Sequence, residues 1–554
     1  MTPTTVIDET GAPSAFTAPF SRAMLSSDQS LSVLDSETGE WETRTWRDVH
    51  ARAVEIAVTL VAARGEGAPR SSQVTHVGLI GDPTVDLIAA IQGAWLAGAA
   101  VSILPGPIRG ADEKRWADAT YARFAGIGVG TVLGGGSQFD LLTAVDGDLR
   151  LAAAREYGVG ADTDDFVPVE AGPDGPAVLQ GTAGSTGEPK TAVLPEASVH
   201  TNTAELVARL GMHHSRDIGF SWLPLYHDMG LTFLLAAMGS GFQTYIVPNS
   251  AFAAAPFKWL EWLTDTKATV TAAPNFAYDI LGRYGRLLQS ADLSNLRVAI
   301  SGGEPIDPDA FDKFLAETER FGFDPAAAAP AYGMAESTCA VTMPVTGEGA
   351  AYDEVTVTAP GDNSETRRRR YAILGKPLDG MEIRIVEPNV DVPLIDDREV
   401  GRVEIRGSSM MRGYLGHPPL GEGEWFDTGD LGYLLDGRLV ICGRAKEIVI
   451  VAGRNLFPVE VERAAASVDG VKRGGVVAMA RDEGSSRPGL VVVAEYRSGD
   501  PAATRSAVIS AVATECGIVP ADVILLEPGT VPRTTSGKLR RLETKQMVNA
   551  GTLS

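Results

Sequence analysis

Cysteine is scarce in this chain. Cys339, Cys442 and Cys516 are odd in number and lie far apart, so they set up neither a disulfide framework nor a cysteine-based metal site. A reducing cytoplasm is the expected setting. Histidine is nearly as rare, with seven residues, too few and too scattered for a histidine-rich metal cluster. Positive charge is also short: 48 Lys and Arg against 71 Asp and Glu leave a net charge of −23. So acidic a surface repels a phosphate backbone, which excludes general nucleic-acid or anionic-membrane binding and confines phosphate recognition to a local site. The N-terminus, MTPTTVIDETGAPSAF, lacks a basic start followed by an apolar run, so no signal peptide is expected. The charge-free residues 87–108 reach membrane-span length. Gly93, Gly98 and the Pro105-Gly106-Pro107 turn interrupt them, and the β-like VTHVGLIG precedes them. A buried strand–helix–strand unit is expected there, with no stable membrane insertion.

What is present suits a large globular chain. Of the 554 residues, 44% are apolar, enough for several domain-sized units at about 150 residues each. Apolar β-like runs alternate with helical segments: strands over 74–81, 100–104, 218–222, 244–247, 269–273 and 297–301, helices over 83–97, 231–238, 257–263, 275–288 and 308–321. That alternation is the pattern of parallel sheets covered by helices. After about residue 370 short alternating strands (382–386, 403–406, 438–442) indicate a β-rich subdomain. Beyond Gly443 a compact α+β unit follows, with a helix over 458–466, strands over 475–480 and 490–496, and a helix over 504–516. The fold class is therefore an α/β large N-terminal lobe, built from two parallel-type αβ subdomains plus a β-rich subdomain, with a small α+β C-terminal domain. Arg367, Arg368, Arg369 and Arg370 beside GDNSET read as a solvated loop.

The strongest local signal is Thr182-Ala183-Gly184-Ser185-Thr186-Gly187-Glu188-Pro189-Lys190, which follows the apolar strand AVLQ. Glycines let backbone N–H groups turn into an anion-binding concavity, and the hydroxyls and lysine add donors for phosphate oxygens. It is not a Walker loop, because no GK[ST] stands at the required spacing.

Six other blocks lie around it in the order PLYHDMG, APNFAYD, SGGEP, AYGMAES, WFDTGDLG and GRAKEIVIVAGRN, and PRTTSGKLRR closes the chain. Together they resemble the adenylate-forming superfamily of acyl-CoA synthetases, fatty acyl-AMP ligases, adenylation domains and luciferases, over residues 32–541. GDPTVDLIAAIQGAWLAG, PFKWL and GRNLFP are most similar to an actinobacterial fatty acyl-AMP ligase or long-chain acyl-CoA synthetase. The resemblance implies that a carboxylate is joined to the α-phosphate of ATP with release of pyrophosphate. It places the phosphate cradle at residues 182–190, with Ala183 where Ser is usual, and Mg²⁺ at Glu336, helped by Thr186. Tyr332, with Gly333 and Met334 beside it, offers adenine a flat face, and Gly302, Gly303, Glu304 and Pro305 approach the purine as bare backbone. Asp430 takes the ribose hydroxyls, with Asp427 the alternative, and Arg444 supports that side. His227 stands near the substrate carboxylate. Lys538 contacts the carboxylate oxygen and the α-phosphate, neutralising charge as it develops.

The same resemblance divides the chain into an adenylation core, 1–445, and a mobile C-terminal domain, 446–554, turning about Lys446, with Gly453 on the pantetheine path. It implies transfer of the acyl group to the phosphopantetheine thiol of an acyl carrier protein in lipid or lipopeptide synthesis, with coenzyme A as the alternative acceptor. A non-catalytic nucleotide-binding relative is the minor alternative. Residues 347–372 occupy the place of an insertion that restrains the two domains in fatty acyl-AMP ligases, and are shorter. Met229, Phe276 and Met334 suit an alkyl chain, so a medium or long fatty acid is the expected substrate, and are equally suited to a core.

Overall fold

The alternation of apolar runs with helices produces two seven-stranded sheets. The computed structural model describes residues 16–36, 38–63, 76–107, 111–169, 171–182, 190–285, 290–358, 366–388, 392, 394–451, 454–481, 489–533 and 539–553. In the first sheet Ala328–Pro330, Val298–Ser301, Val270–Ala273, Ile218–Ser221, Gln243–Ile246 and Ser30–Leu34 lie side by side in parallel, and Trp41–Thr45 closes the edge antiparallel. In the second, Arg150–Ala153, Val129–Gly134, His76–Ile80, Val101–Ile103 and Pro176–Thr182 are parallel. Lys190–Pro195 and the short Gly413–Tyr414 extend that sheet antiparallel. The extension matters for function, because it returns the chain to the same sheet end from which Pro176–Thr182 emerges.

The charge-free stretch folds as expected. Val85–Leu96 is a helix buried at every position but Asp86 and capped by Thr84, whose Oγ1 accepts the Leu87 N–H at 3.1 Å, and Val101–Ile103 follows as a buried strand. The helix begins two residues later than the proline rule predicts, because Thr84 satisfies a free N–H that Pro83 cannot. Gly93 sits where a Cβ would lie 2.8 Å from the Ala53 carbonyl oxygen, so the helix Trp46–Ala62 packs directly on backbone. No helix among the described residues is long and apolar enough to cross a membrane.

The β-rich part is a four-stranded antiparallel sheet of Met381–Val386, Gly401–Gly407, Phe426–Leu435 and Arg438–Arg444. The C-terminal unit contains the hairpin Val449–Val451/Arg454–Leu456 and the sheet Val471–Arg481, Gly489–Tyr496, Asp522–Leu526. The helices Pro458–Ala466, Pro501–Cys516 and Arg541–Asn549 complete it. Its main apolar cluster draws only on residues from Val449 onward.

The arginine run corrects the sequence expectation. Thr366–Ala372 is a strand, antiparallel to Tyr352–Thr358, rather than a solvated loop. Arg368 is exposed, but Arg369 is buried at 9% exposure, ion-paired with Glu460 at 3.4 Å and donating to the Glu515 carbonyl at 3.0 Å. Arg370 pairs with Asp309 at 3.0 Å and Asp312 at 2.8 Å. The neutralising acids come from distant segments, so the polar neighbours GDNSET gave no sign of them.

Candidate active site

A cleft of about 1870 Å³ opens between the strand ends of the large lobe and the C-terminal unit, and two polar clusters converge on it. The first is built on adjacent strands. Asp430 and Arg444 are cross-strand partners in the β-rich sheet. The Arg444 Nε donates to Asp430 Oδ1 at 3.0 Å, and the Tyr332 hydroxyl, from the strand Tyr332–Gly333, donates to Asp430 Oδ2 at 2.6 Å. The Asp430 backbone N–H is held by Thr428 Oγ1 at 3.1 Å. Burial, reinforced by the adjoining Asp430 carboxylate, pushes the Tyr332 phenol well above its ordinary pKa, so it stays a neutral donor. Each Asp430 oxygen keeps a further lone pair for a diol. Asp427 is committed elsewhere: it pairs with Arg402 at 2.6 Å and accepts the Gly429 N–H at 2.8 Å. Asp430, and not Asp427, is the carboxylate that Tyr332 and Arg444 hold.

The second cluster joins three segments. Glu336 lies in a 3₁₀ turn, Ala335–Ser337, at 9% exposure. Its Oε1 accepts the Tyr414 hydroxyl at 2.6 Å, and Lys190 Nζ sits 4.7 Å from the centroid of the Tyr414 ring. Tyr414 therefore bridges the predicted metal carboxylate and the lysine that ends the glycine-rich segment. Nothing in the sequence marks Tyr414 for this place. An isolated tyrosine in MMRGYLG has no periodic or charge signature, and only the pairing of Gly413–Tyr414 with Lys190–Pro195 brings it into position. Burial, then the Glu336 charge, pushes the Tyr414 phenol up as well. Glu336 Oε2 has no hydrogen-bond partner among the described residues, leaving a hard oxygen available to a divalent cation, as Mg²⁺ prefers. No group of three or more His, Cys, Asp and Glu side chains that could hold a metal converges among the described residues. Replacing Tyr414 by phenylalanine is expected to free the carboxylate to rotate. The Mg²⁺ concentration needed for half-maximal activity should rise about tenfold, as when a supporting hydrogen bond to a metal ligand is lost; titration of Mg²⁺ at saturating ATP checks it.

The remaining sites fall along the same cleft. His227 precedes the helix Asp228–Ser240, with Nδ1 2.5 Å from Asp228 Oδ1. Gly230 in the same block is required sterically, since a Cβ there would lie 2.3 Å from the Pro224 carbonyl oxygen. Gly302, Gly303, Glu304 and Pro305 all line the cleft. Glu304 is structural as well. Its Oε1 accepts the Phe276 N–H at 2.6 Å and caps the helix Asn275–Tyr284, whose own N-cap is Pro274. Gly303, at φ +77°, places a hypothetical Cβ 3.8 Å from Met229 Cε, so the purine-side loop and the apolar wall adjoin. Met229, Phe276 and Met334 line the cleft, with Phe276 packed edge-on against Trp222 at 6.2 Å. Lys446 is exposed in the 3₁₀ turn Ala445–Glu447 and borders the cleft. Ala183, Gly184, Ser185, Thr186, Gly187, Gly453 and Lys538 lie outside the described residues, although Thr182 and Lys190, which flank the first five, both line the cleft.

The chain is similar to known proteins along most of its length. The family described as AMP-binding enzyme matches residues 22–415. A putative ligase of Mycobacterium tuberculosis, Rv1013, is 36% identical across 91% of this chain and 94% of its own. The medium-chain-fatty-acid–[acyl-carrier-protein] ligase JamA of Moorena producens is 31% identical across 68% of each chain. A structure from work on fatty acyl-adenylate ligases of E. coli and L. pneumophila superposes with a TM-score of 0.85 at 26% identity, covering 97% of this chain and 98% of that one.

Proposed function

Because the chain belongs to the AMP-binding enzyme family, we propose that it activates a medium or long fatty acid with ATP and Mg²⁺ to acyl-AMP. Pyrophosphate is released, and the acyl group then passes to the phosphopantetheine thiol of an acyl carrier protein. The observation that carries this reading is the convergence of the Tyr332–Asp430–Arg444 and Glu336–Tyr414–Lys190 clusters on one cleft beside an apolar wall.

The division of labour follows from the chemistry. Asp430, oriented by Tyr332 and Arg444, accepts the ribose hydroxyls. Met229, Phe276 and Met334 receive the alkyl chain. A carboxylate oxygen attacks the α-phosphorus, the bond to the β-phosphate oxygen breaks, and pyrophosphate leaves with its electron pair. Two anions must meet, so positioning and charge neutralisation dominate the barrier. Glu336 would hold Mg²⁺, which when bound would supply charge neutralisation at the phosphates. Lys190 adds a fixed cation, and Lys538 is the one delivered from the C-terminal domain. In the second step the thiol sulfur attacks the acyl carbonyl, AMP leaves, and the thiol proton passes to solvent.

Lys538 serves the first step and not the second, which is why residues 446–554 are assigned a rotation about Lys446. The short turn Ala445–Glu447 and the separate apolar cluster beyond Val449 support that division. The carrier protein is preferred to coenzyme A as acceptor because the Tyr352–Thr358/Thr366–Ala372 hairpin is bolted to Glu460 of the C-terminal unit, a restraint on the domains that suits a ligase of the acyl-AMP kind.

The test is pyrophosphate exchange into ATP with a panel of fatty and amino acids, followed by acyl transfer to phosphopantetheinylated carrier or to coenzyme A. Fatty-acid-dependent exchange with thioester forming on the carrier is expected. Exchange driven by amino acids alone would overturn the substrate class, and efficient acyl-CoA formation would overturn the acceptor.

A further inference from the structure

In so acidic a protein, most half-buried arginines find carboxylates. Arg52 pairs with Asp86 and Glu55, Arg297 with Asp217, Arg398 with Asp353, and Arg541 with Glu462 and Glu447. Arg123 is different. It projects from the helix Glu113–Gly126, is half-buried, and its guanidinium has no hydrogen-bond or ion-pair partner among the described residues. Burial alone pushes its pKa down, with no acid nearby to offset it. A guanidinium stays charged in a protein and carries five donors, so leaving it partly desolvated and unpaired costs stability.

Its surroundings indicate what offsets that cost. Arg123 lines the lobe of the cleft bounded by Leu104, Trp116, Thr120 and Gly181. The helix is fixed over this lobe by the Trp116 indole N–H, which donates to the Pro105 carbonyl at 3.2 Å. The guanidinium lies against the backbone of Gly181: a Cβ there would come within 2.7 Å of Nη2 and 3.6 Å of Cζ. Gly181 immediately precedes Thr182, which pairs across the hairpin with Lys190. The two stems of the glycine-rich segment thus have Arg123 beside one and Lys190 at the start of the other. Side-chain alternation along the strand puts the position of Gly181 on the opposite sheet face from those of Thr182 and Lys190. Arg123 and Lys190 are therefore assigned to opposite faces of the sheet at this strand end.

We propose that Arg123 binds the phosphate oxygens of pyrophosphate, the same group that forms the outer end of ATP. This assignment rests on the adenylation reading above. The planar guanidinium fork matches a phosphate group bidentately, and the absence of a side chain at Gly181 leaves it room at the strand end.

Calorimetric titration of magnesium pyrophosphate, and separately of AMP, into the full-length protein tests this without a need to know the acid. Arg123→Gln should weaken pyrophosphate binding about tenfold or more, the loss expected for a hydrogen bond to a charged group, with AMP affinity unchanged and the Tm of the ligand-free protein no lower. Arg123→Lys should recover part of the loss by charge alone, and Gly181→Ala, which crowds the fork, should give a smaller loss. Unchanged pyrophosphate affinity in Arg123→Gln overturns the assignment, as does a parallel loss of AMP binding. So does an altered preference between mono- and dicarboxylic acids with pyrophosphate binding intact, because the guanidinium would then serve the acyl substrate. Wild-type protein that binds pyrophosphate and AMP through these residues yet exchanges with no fatty acid overturns the substrate reading and leaves Arg123 in place.

Discussion

Lys538→Ala is expected to lower fatty-acid-dependent pyrophosphate exchange by about 10³-fold, the loss typical of removing one preorganised charge from a developing oxyanion. Two anions meet at the α-phosphorus, and three cations with assigned partners or roles sit on the large lobe. Lys190 is held over the Tyr414 ring, Arg444 is spent on Asp430, and Arg123 is assigned to the leaving group. These three belong to the large lobe, while Arg463, Lys472, Arg533 and Arg541 of the C-terminal unit also line the cleft. The signature is a split between half-reactions. With acyl-AMP supplied preformed, Lys538→Ala should transfer the acyl group to carrier within about twofold of wild type, because uniform folding damage would depress both steps and the loss of a step-specific interaction depresses one. Full exchange activity in the variant would overturn the mechanism.

Gly333→Ala should be the most damaging conservative change in the described site. A Cβ at Gly333 would lie 1.9 Å from the Cys339 carbonyl oxygen and 3.0 Å from Ala340 Cα, both backbone atoms. No rotamer change relieves that contact; the strands Tyr332–Gly333 and Ala340–Met343 must part at the register shift between them. The flanking residues are Tyr332, which orients Asp430, and Met334, whose N–H donates to Cys339 O at 2.8 Å and whose C=O accepts from Ser337 at 3.0 Å. Relaxation therefore moves the ribose carboxylate's partner and the turn bearing Glu336 together. Destabilisation of about 3 kcal/mol, the upper range for overpacking, should accompany loss of ATP binding, measured by denaturant unfolding and nucleotide titration on the same sample. Wild-type affinity for ATP in Gly333→Ala would mean that the backbone accommodates the methyl group without moving the site.

Much of this site was legible because the chemistry demands particular residue types at fixed intervals. Asp430 stands in a block whose register distinguishes it from Asp427, and the structure gives Asp427 another partner in Arg402. The strand and helix positions through the large lobe were legible for the same reason that its core is simple: parallel strands buried on both faces read as continuous apolar runs. What stayed hidden depends on tertiary pairing. Tyr414 carries no pattern of its own and acquires its place only as an edge-strand residue. Arg369 and Arg370 looked solvated because Glu460, Glu515, Asp309 and Asp312 stand far from them along the chain. Arg123 belongs to an ordinary amphipathic helix, and only the missing carboxylate beside it sets it apart.

The Arg369–Glu460 contact also bears on turnover. Both side chains are largely shielded from water, at 9% and 13% exposure, and one belongs to each of the two parts between which rotation is assigned. Pulling them apart exchanges a direct attraction for two hydration shells, and hydration repays much of what is lost when both ions reach water together. If one stays dry while the other departs, the stranded charge costs about 3–5 kcal/mol, enough to slow opening by orders of magnitude. Under the proposed rotation, the route by which solvent floods this seam becomes part of the catalytic cycle. It favours trajectories that wet both ions at once, and so gives the domain movement a preferred direction that steric fit alone does not impose.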